Sequence, residues 1–220
     1  MIERIVPQFG QGFFTAADAA NILDIPYNKV GYWFRKYVKG EFEGHSNYRY
    51  YYESEKVTAV NFHTLIEVYV FDFFRQNKIS TNKIVIAHQE LSKLLNTPYP
   101  FCHTDFLLSS GKDILYKIQN TFVEATPGFQ QAIFEYVGPY SKKIEFINNM
   151  ASKYFPLGKD HSIVVNPNNQ FGSPIITGTN IRVNTLVSLY RGGENIEFIA
   201  DLFDLKPNQV LDAITFAKAA

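Results

Sequence analysis

The apolar positions of this chain change period several times, and each change predicts an element. From Val57 the most apolar run leads into Leu65, Val68, Tyr69 and Phe73 at helical spacing, which predicts a short strand entering an amphipathic core helix over about 63–76. Asn61, His63, Glu67 and Asp72 interrupt that run, and such residues are too costly for a lipid-facing span. Ser80 is placed to cap a second helix whose Ile84, Ala87, Leu91 and Leu94 share one face until Thr97-Pro98-Tyr99-Pro100 ends it. Asp105–Leu108 and Ile114–Ile118 flank a Gly-containing turn and predict a hairpin, and a further helix is expected near Gln130–Tyr136. After the break at 155–160, two short strand-like runs, Ser162–Asn166 and Ile175–Thr177, precede a helix starting near Asn184 or Thr185. Ile196, Ile199, Ala200 and Phe203 then lead through Leu205-Lys206-Pro207 into Val210, Ala213, Ile214 and Ala217, the spacing of two helices joined by a turn.

The same spacing occurs near the N-terminus. Thr15 can cap a first helix with Asp18 completing a capping box, and Ala19 and Ala20 are small where a second helix must cross. Pro26 opens the second helix, Ile25, Val30 and Trp33 supply its core, and Asn28, Lys29, Tyr32, Arg35 and Lys36 are left facing outward. These patterns divide the chain into residues 1–57, 58–160 and 161–220. The fold class expected is mainly α with small β-hairpins.

Composition narrows the function classes. Apolar residues make up 46% of the 220 and charged residues 19%, which places the chain among globular proteins. Cys102 is the lone cysteine, so an intramolecular disulfide is excluded, and a buried thiol in a reducing compartment is expected. The first twelve residues lack a basic-then-apolar progression, so the expected location is cytoplasmic, with no membrane association. A formal net charge of zero argues against a nucleic-acid binder until its distribution is read. Between Tyr27 and Gly40 the charged residues are Lys29, Arg35, Lys36 and Lys39, all cationic. Between Glu194 and Ala217 they are Glu194, Glu197, Asp201, Asp204 and Asp212 against Lys206 alone. The two ends are suited to different partners.

The outward donors of the N-terminal second helix suit phosphates and base edges in a major groove. The stretch Phe14–Arg35 resembles the MerR-type winged helix-turn-helix, and Asn47-Tyr48-Arg49-Tyr50-Tyr51 is similar to the Arg-x-Tyr wing of that family. The resemblance implies DNA contact through Thr15, Asn28, Lys29, Tyr32, Arg35 and Lys36, with Arg49 on the backbone. Gly31 stands where MerR-type proteins commonly carry Arg. Residues 14–38 also fit an αα-hairpin used only for packing, and the local positive charge favours DNA contact over it.

The last sixty residues or so resemble the small domain of unassigned function at the C-terminus of one group of VapB-type antitoxins, through the pattern Pro-x-Ile-x-Gly-Thr-x-Ile-x-Val. Pro174, Ile176, Gly178, Thr179, Ile181, Val183, Ile199, Ala200, Val210 and Ala213 match it, while Asn180 and Arg182 stand where Arg and Pro are usual. The resemblance implies a homeodomain-like helical domain in an antitoxin that binds operator DNA as a homodimer and neutralises a PIN-like ribonuclease. Arg182 and Arg191 are then candidates to pair with the carboxylates of that nuclease. An orphan transcription regulator and a dimerisation or protein-interaction module without DNA affinity remain the alternatives.

Catalytic signals are absent from the sequence. His45, His63, His88, His103 and His161 do not fall at zinc-ligand spacing, and no phosphate loop or nucleophile elbow is recognisable. The expectation is a non-enzyme without cofactor or metal.

Overall fold

A computed structural model describes residues 10–38, 51–53, 58–76, 78–103 and 142–219. The predicted hairpin over 105–118, the helix near 130–136 and Arg49 lie outside the described residues. The architecture is mainly helical, with small antiparallel sheets.

The chain enters through β1 (Phe14–Thr15), α1 (Ala16–Leu23) and α2 (Tyr27–Val38), followed by β2 (Tyr51–Glu53) and β3 (Thr58–Val60). β3 lies between β1 and β2, pairing Phe14 with Val60 and Tyr52 with Ala59. α1 starts where expected because the Thr15 and Asp18 side chains each bond the other's backbone N–H. It stops at Asp24, which is left-handed at φ 54°. α2 begins one residue later than expected, at Tyr27, with the Pro26 carbonyl accepting from Lys29 and Val30.

α3 (Phe62–Gln76) is the central element. A one-sided helix was expected from Leu65, Val68, Tyr69 and Phe73; Leu65 and Val68 are buried together with Phe62, Ile66, Val70, Phe71 and Phe74, while Tyr69 and Phe73 are only partly buried. Helical periodicity fades when a helix is covered all round, so the pattern reported only part of the buried surface. Trp33 of α2 packs on Phe71 at 5.0 Å, and Phe101 sits edge-on to Phe71 and Phe74 at 5.4 and 5.6 Å. α4 (Thr81–Leu95) starts at the predicted cap Ser80 and ends at left-handed Asn96. It delivers His88 Nε2 to 2.5 Å from Glu67 Oε2, both side chains fully buried, while Glu67 Oε1 accepts from the Phe101 amide at 3.0 Å. Two buried polar groups are tolerable here because they face each other.

Cys102 is buried, and its thiol donates to the His63 carbonyl. Burial pushes the thiol well above its ordinary pKa, and the nearby Glu67 carboxylate adds to the rise. The expected structural cysteine is therefore present.

β4 (Ile144–Ile147) and β5 (Met150–Tyr154) form a hairpin turned by Asn148 and Asn149, both at positive φ. Two adjacent left-handed residues are what a tight two-residue hairpin requires, and asparagine tolerates them. This hairpin was not expected from the sequence. It reaches α3 through His63, whose Nε2 lies 3.1 Å from the Ala151 carbonyl.

β6 (Ile163–Val164) pairs with β7 (Ile175–Ile176), and three helices follow: α5 (Val183–Arg191), α6 (Ile196–Phe203) and α7 (Pro207–Ala219). Gly192 and left-handed Gly193 end α5. The C-terminal elements share one continuous core with the N-terminal ones, running from Phe14 to Phe216. Phe14 is the clearest link. A Cβ placed on Gly172 would fall 2.3 Å from its ring, and one on Gly12 would fall 2.6 Å from it.

Two stability predictions follow from these contacts. Gly172 and Gly178 both hold positive φ, but only Gly172 faces Phe14, whereas Gly178 has open space around its missing Cβ. Gly178→Ala should therefore cost about 1 kcal/mol from backbone strain alone, and Gly172→Ala clearly more than about 2 kcal/mol, as read from denaturant midpoints. Equal losses would show that Phe14 yields freely. The second concerns His63, whose imidazole burial holds below its ordinary value of 6.5 despite the Ala151 carbonyl and Glu67, which act in the opposite sense. A depressed folded pKa gives stability that is complete above 6.5 and is lost as the pH falls through the folded value. Melting temperatures should fall on acidification below 6.5, and His63→Gln should flatten that part of the profile.

Candidate nucleic-acid interface

α2 buries Val30, Trp33 and Phe34 and leaves Asn28, Lys29, Tyr32 and Arg35 exposed, as helical spacing requires. The exposed residues are not equivalent. Lys29 Nζ lies 3.6 Å from Oδ1 of Asp72, a carboxylate buried on α3 that also accepts from Gln76 Nε2 at 2.6 Å. A groove of about 350 Å³ separates α2 from α3 at this point, lined by Asn28, Lys29, Tyr32, Asp72 and Arg75. Arg75 also donates from Nη1 to the Ile79 carbonyl.

Further along α2 lie an aromatic ring and two more cations. Tyr32 stands edge-on to Trp33 at 5.1 Å, and the Lys36 ammonium lies 5.6 Å from the Tyr32 ring centroid. This cation–π contact orients both groups at one place on the surface. Arg35 folds back along the helix, so that a Cβ on Gly31 would meet its Nη1 at 3.5 Å. Asn28 Oδ1 accepts from the Lys29 amide. Thr15, also a candidate, donates its hydroxyl proton to Asp18 Oδ2 at 2.6 Å and stands at the start of α1, away from this cluster in sequence. The structure therefore gathers Asn28, Tyr32, Arg35 and Lys36 on one helix, ties Lys29 to Asp72, and uses Thr15 as a cap. Asp72 was read in the sequence only as a polar interruption of an apolar run. Its being the carboxylate of α3 opposite a cationic helix was the available signal.

Arg182 and Arg191 stand at opposite ends of α5, about 13 Å apart by helical rise. Arg182 Nε donates to Gln170 Oε1 at 2.9 Å, and Asn180 Oδ1 accepts from Asn169 Nδ2 at 2.9 Å. The two positions that depart from the usual C-terminal pattern thus both bond the 169–170 turn. Arg191 is exposed.

The α1–α2 layout recurs in α6–α7. Each unit opens with a helix of eight residues behind a polar cap, Thr15 or Asn195. Each first helix ends on a left-handed aspartate, Asp24 at φ 54° and Asp204 at φ 52°. Ile25 and Leu205 then donate to the carbonyls of Ala20 and Ala200, respectively. The outer faces differ. Where α2 carries Tyr32 and Arg35, α7 carries Asp212 and Thr215, and Asp212 is occupied by His161 Nδ1 at 2.9 Å and the Ser162 amide at 2.7 Å. Where α1 buries Ile22 at 4% exposure, α6 leaves Leu202 at 57%, and Phe198 one turn earlier is 47% exposed.

Comparison with known proteins can now be set beside this geometry. Residues 163–217, which hold β6 to α7, match the family described as protein of unknown function (DUF433). The C-terminal portion is a DUF433 domain. Over 164 residues, 68% of each chain, the protein is 25% identical to a Mycobacterium tuberculosis (strain H37Rv) protein named "Putative antitoxin VapB45". This is a distant homology. The X-ray crystal structure of Rv2018 from Mycobacterium tuberculosis has the same fold, with a TM-score of 0.74 at 21% identity, covering 94% of this chain and all of that one. No helix among the described residues is long and apolar enough to cross a membrane.

Proposed function

We propose that the protein is a DNA-binding antitoxin, in which α1–α2 with the β1–β3–β2 sheet acts as a winged helix-turn-helix and the DUF433 domain holds a PIN-like ribonuclease. The observation that carries the DNA reading is the cluster Asn28, Tyr32, Arg35 and Lys36 on the exposed side of α2, absent from the matching side of α7. One backbone layout occurs twice with a cationic face once, so the cationic face is not a requirement of the layout. Binding as a homodimer would place two α2 helices about one duplex turn apart and give autorepression of the operon. The distant relation to a protein named as an antitoxin supports the second activity.

The ribonuclease would dock on α6. Phe198 and Leu202 are one turn apart on an exposed apolar strip bordered by Glu194, Glu197 and Asp201, which suits a partner whose own apolar patch is rimmed with Lys and Arg. Arg191 is exposed and precedes α6 in the chain, whereas the Arg182 guanidinium bonds Gln170, which favours Arg191 of the two as a toxin contact. A packing-only role for α1–α2 is favoured by one observation, the commitment of Lys29 to Asp72.

Mobility shifts on the region upstream of the gene separate the two. Arg35→Ala/Lys36→Ala should weaken binding at least about tenfold and flatten its salt dependence, by roughly one unit of slope for each phosphate no longer neutralised. Lys29→Ala should change DNA affinity less while lowering the melting temperature, because it leaves Asp72 poorly compensated. No shift with the wild-type protein would leave only packing. For the partner, co-expression with the product of the adjacent gene should give a stable complex with the wild type, abolished in Leu202→Glu; capture that survives this change would remove α6 from the interface.

A further inference from the structure

On α6, Phe198 and Leu202 stand one turn apart, and Glu197 and Asp201 run beside them at the same spacing, all four exposed. Such a strip is poorly suited to pairing with the same strip of a second copy, because carboxylates would then face carboxylates across a surface that has lost its water. It calls for an apolar or aromatic surface edged by cations.

α2 of the same chain offers that surface. Tyr27 is 64% exposed and Tyr32 is exposed as well, so two rings stand on the outer side of the helix. Its charged residues, Lys29, Arg35 and Lys36, are all cationic. Gly31 falls between Tyr27 and Arg35 in one row along the helix and leaves a gap in that ridge. A Cβ at Gly31 would meet Arg35 Nη1, the movable end of a long side chain, at 3.5 Å. A gap of this kind lets a second helix approach closely, with a side chain such as Phe198 entering beside Tyr27.

The two faces that fit belong to different copies of the chain. Both are exposed within one chain, and the N-terminal and C-terminal elements share one continuous core. The Phe14 ring, seated against Gly12 and Gly172, fixes α1 against the DUF433 domain, so α6 cannot swing onto its own α2.

We infer that α6 of one copy docks on α2 of a second, with Phe198 and Leu202 against Tyr27 and Tyr32, and Glu197 and Asp201 paired with Arg35 and Lys36. One helix laid on another makes a small interface, so the assembly depends on concentration and, through its charges, on salt. It is distinct from a homodimer that presents two α2 helices to a duplex, because it covers α2. On the DNA and ribonuclease reading, either partner would open the contact by taking one of its two faces.

Sedimentation velocity of the full-length chain tests this through two charge-reversed variants, Arg35→Glu/Lys36→Glu and Glu197→Lys/Asp201→Lys. It is measured without DNA or ribonuclease, so its outcome does not depend on that reading. The wild type should form a larger species as its concentration rises, weakened in about 1 M salt, where the screening length is about 3 Å. Each variant alone should associate at least about tenfold more weakly, because like charges then meet at the contact. Mixing the two variants should restore association, since the acidic α2 of one then meets the basic α6 of the other and the remaining two faces are wild-type. Misfolding of either variant cannot produce that rescue. Melting temperatures should stay near the wild-type value, because a lysine disfavoured in the first turn of α6 is offset by one favoured in its last turn. Wild type and both variants sedimenting alike, or association lost in the variants and not recovered on mixing, overturns the contact; ribonuclease capture that still depends on Leu202 would then assign α6 to that partner alone.

Discussion

Everything that relates the two ends of this chain depends on how Phe14 is seated. Its ring is buried between two glycines, Gly12 and Gly172, in space that a single methyl group on either would occupy. The contact joins a residue of the first strand to a turn of the C-terminal domain more than 150 positions away in the chain. Close packing of a rigid ring leaves little freedom for the joint to slide, because dispersion attraction decays within a fraction of an ångström. The Phe13 amide then bonds the Phe171 carbonyl one residue from that glycine. The orientation of α1, and through α1 that of α2, is therefore set against the DUF433 domain by a sterically defined contact and a main-chain hydrogen bond.

On that frame the repeated two-helix layout takes on different work at each end. The local rules are the same in both units: a polar cap, eight residues, a left-handed aspartate, a branched apolar residue that bonds back. These fix the angle between the helices without specifying what the outer face carries. At the N-terminal end α1 is covered, so Ile22 is buried, and α2 carries the exposed cations. At the C-terminal end α7 turns Asp212 inward to His161 and Ser162, and the apolar strip on α6 is left uncovered. A zero net charge over the whole chain thus conceals a basic helix and an acidic one, each suited to a different class of surface.

The sequence made the local devices legible and the tertiary ones hard to see. Thr15 with Asp18, Ser80, and the cores of α2 and α7 could be read because caps and helical spacing are encoded within a few residues. The β4–β5 hairpin was missed although Asn148-Asn149 is a turn signal, since a pair of asparagines is a weaker cue than Asn-Gly. The extent of the burial of α3 was missed because Glu67 and Asp72 read as polar interruptions of the apolar run. In the fold they answer His88 and Lys29, residues that lie about twenty and forty positions away. Of the candidate site, residue type and exposure along α2 were legible, and the pairing of Lys29 was not.

That pairing also bears on how α2 can meet a polyanion. Asp72 is almost fully buried, and its negative charge is answered by an ammonium that is itself about half exposed. A phosphate approaching Lys29 would compete with Asp72 for the same cation, and withdrawing the cation would leave a carboxylate in a site of low polarity. Lys29 therefore contributes little net attraction at the protein's own expense in stability, while Arg35 lies back along α2 beside Gly31. Lys36 lies against the Tyr32 ring in a cation–π contact. The electrostatic centre of α2 consequently lies toward its C-terminal half, and a duplex backbone would engage that half in preference to the groove against α3.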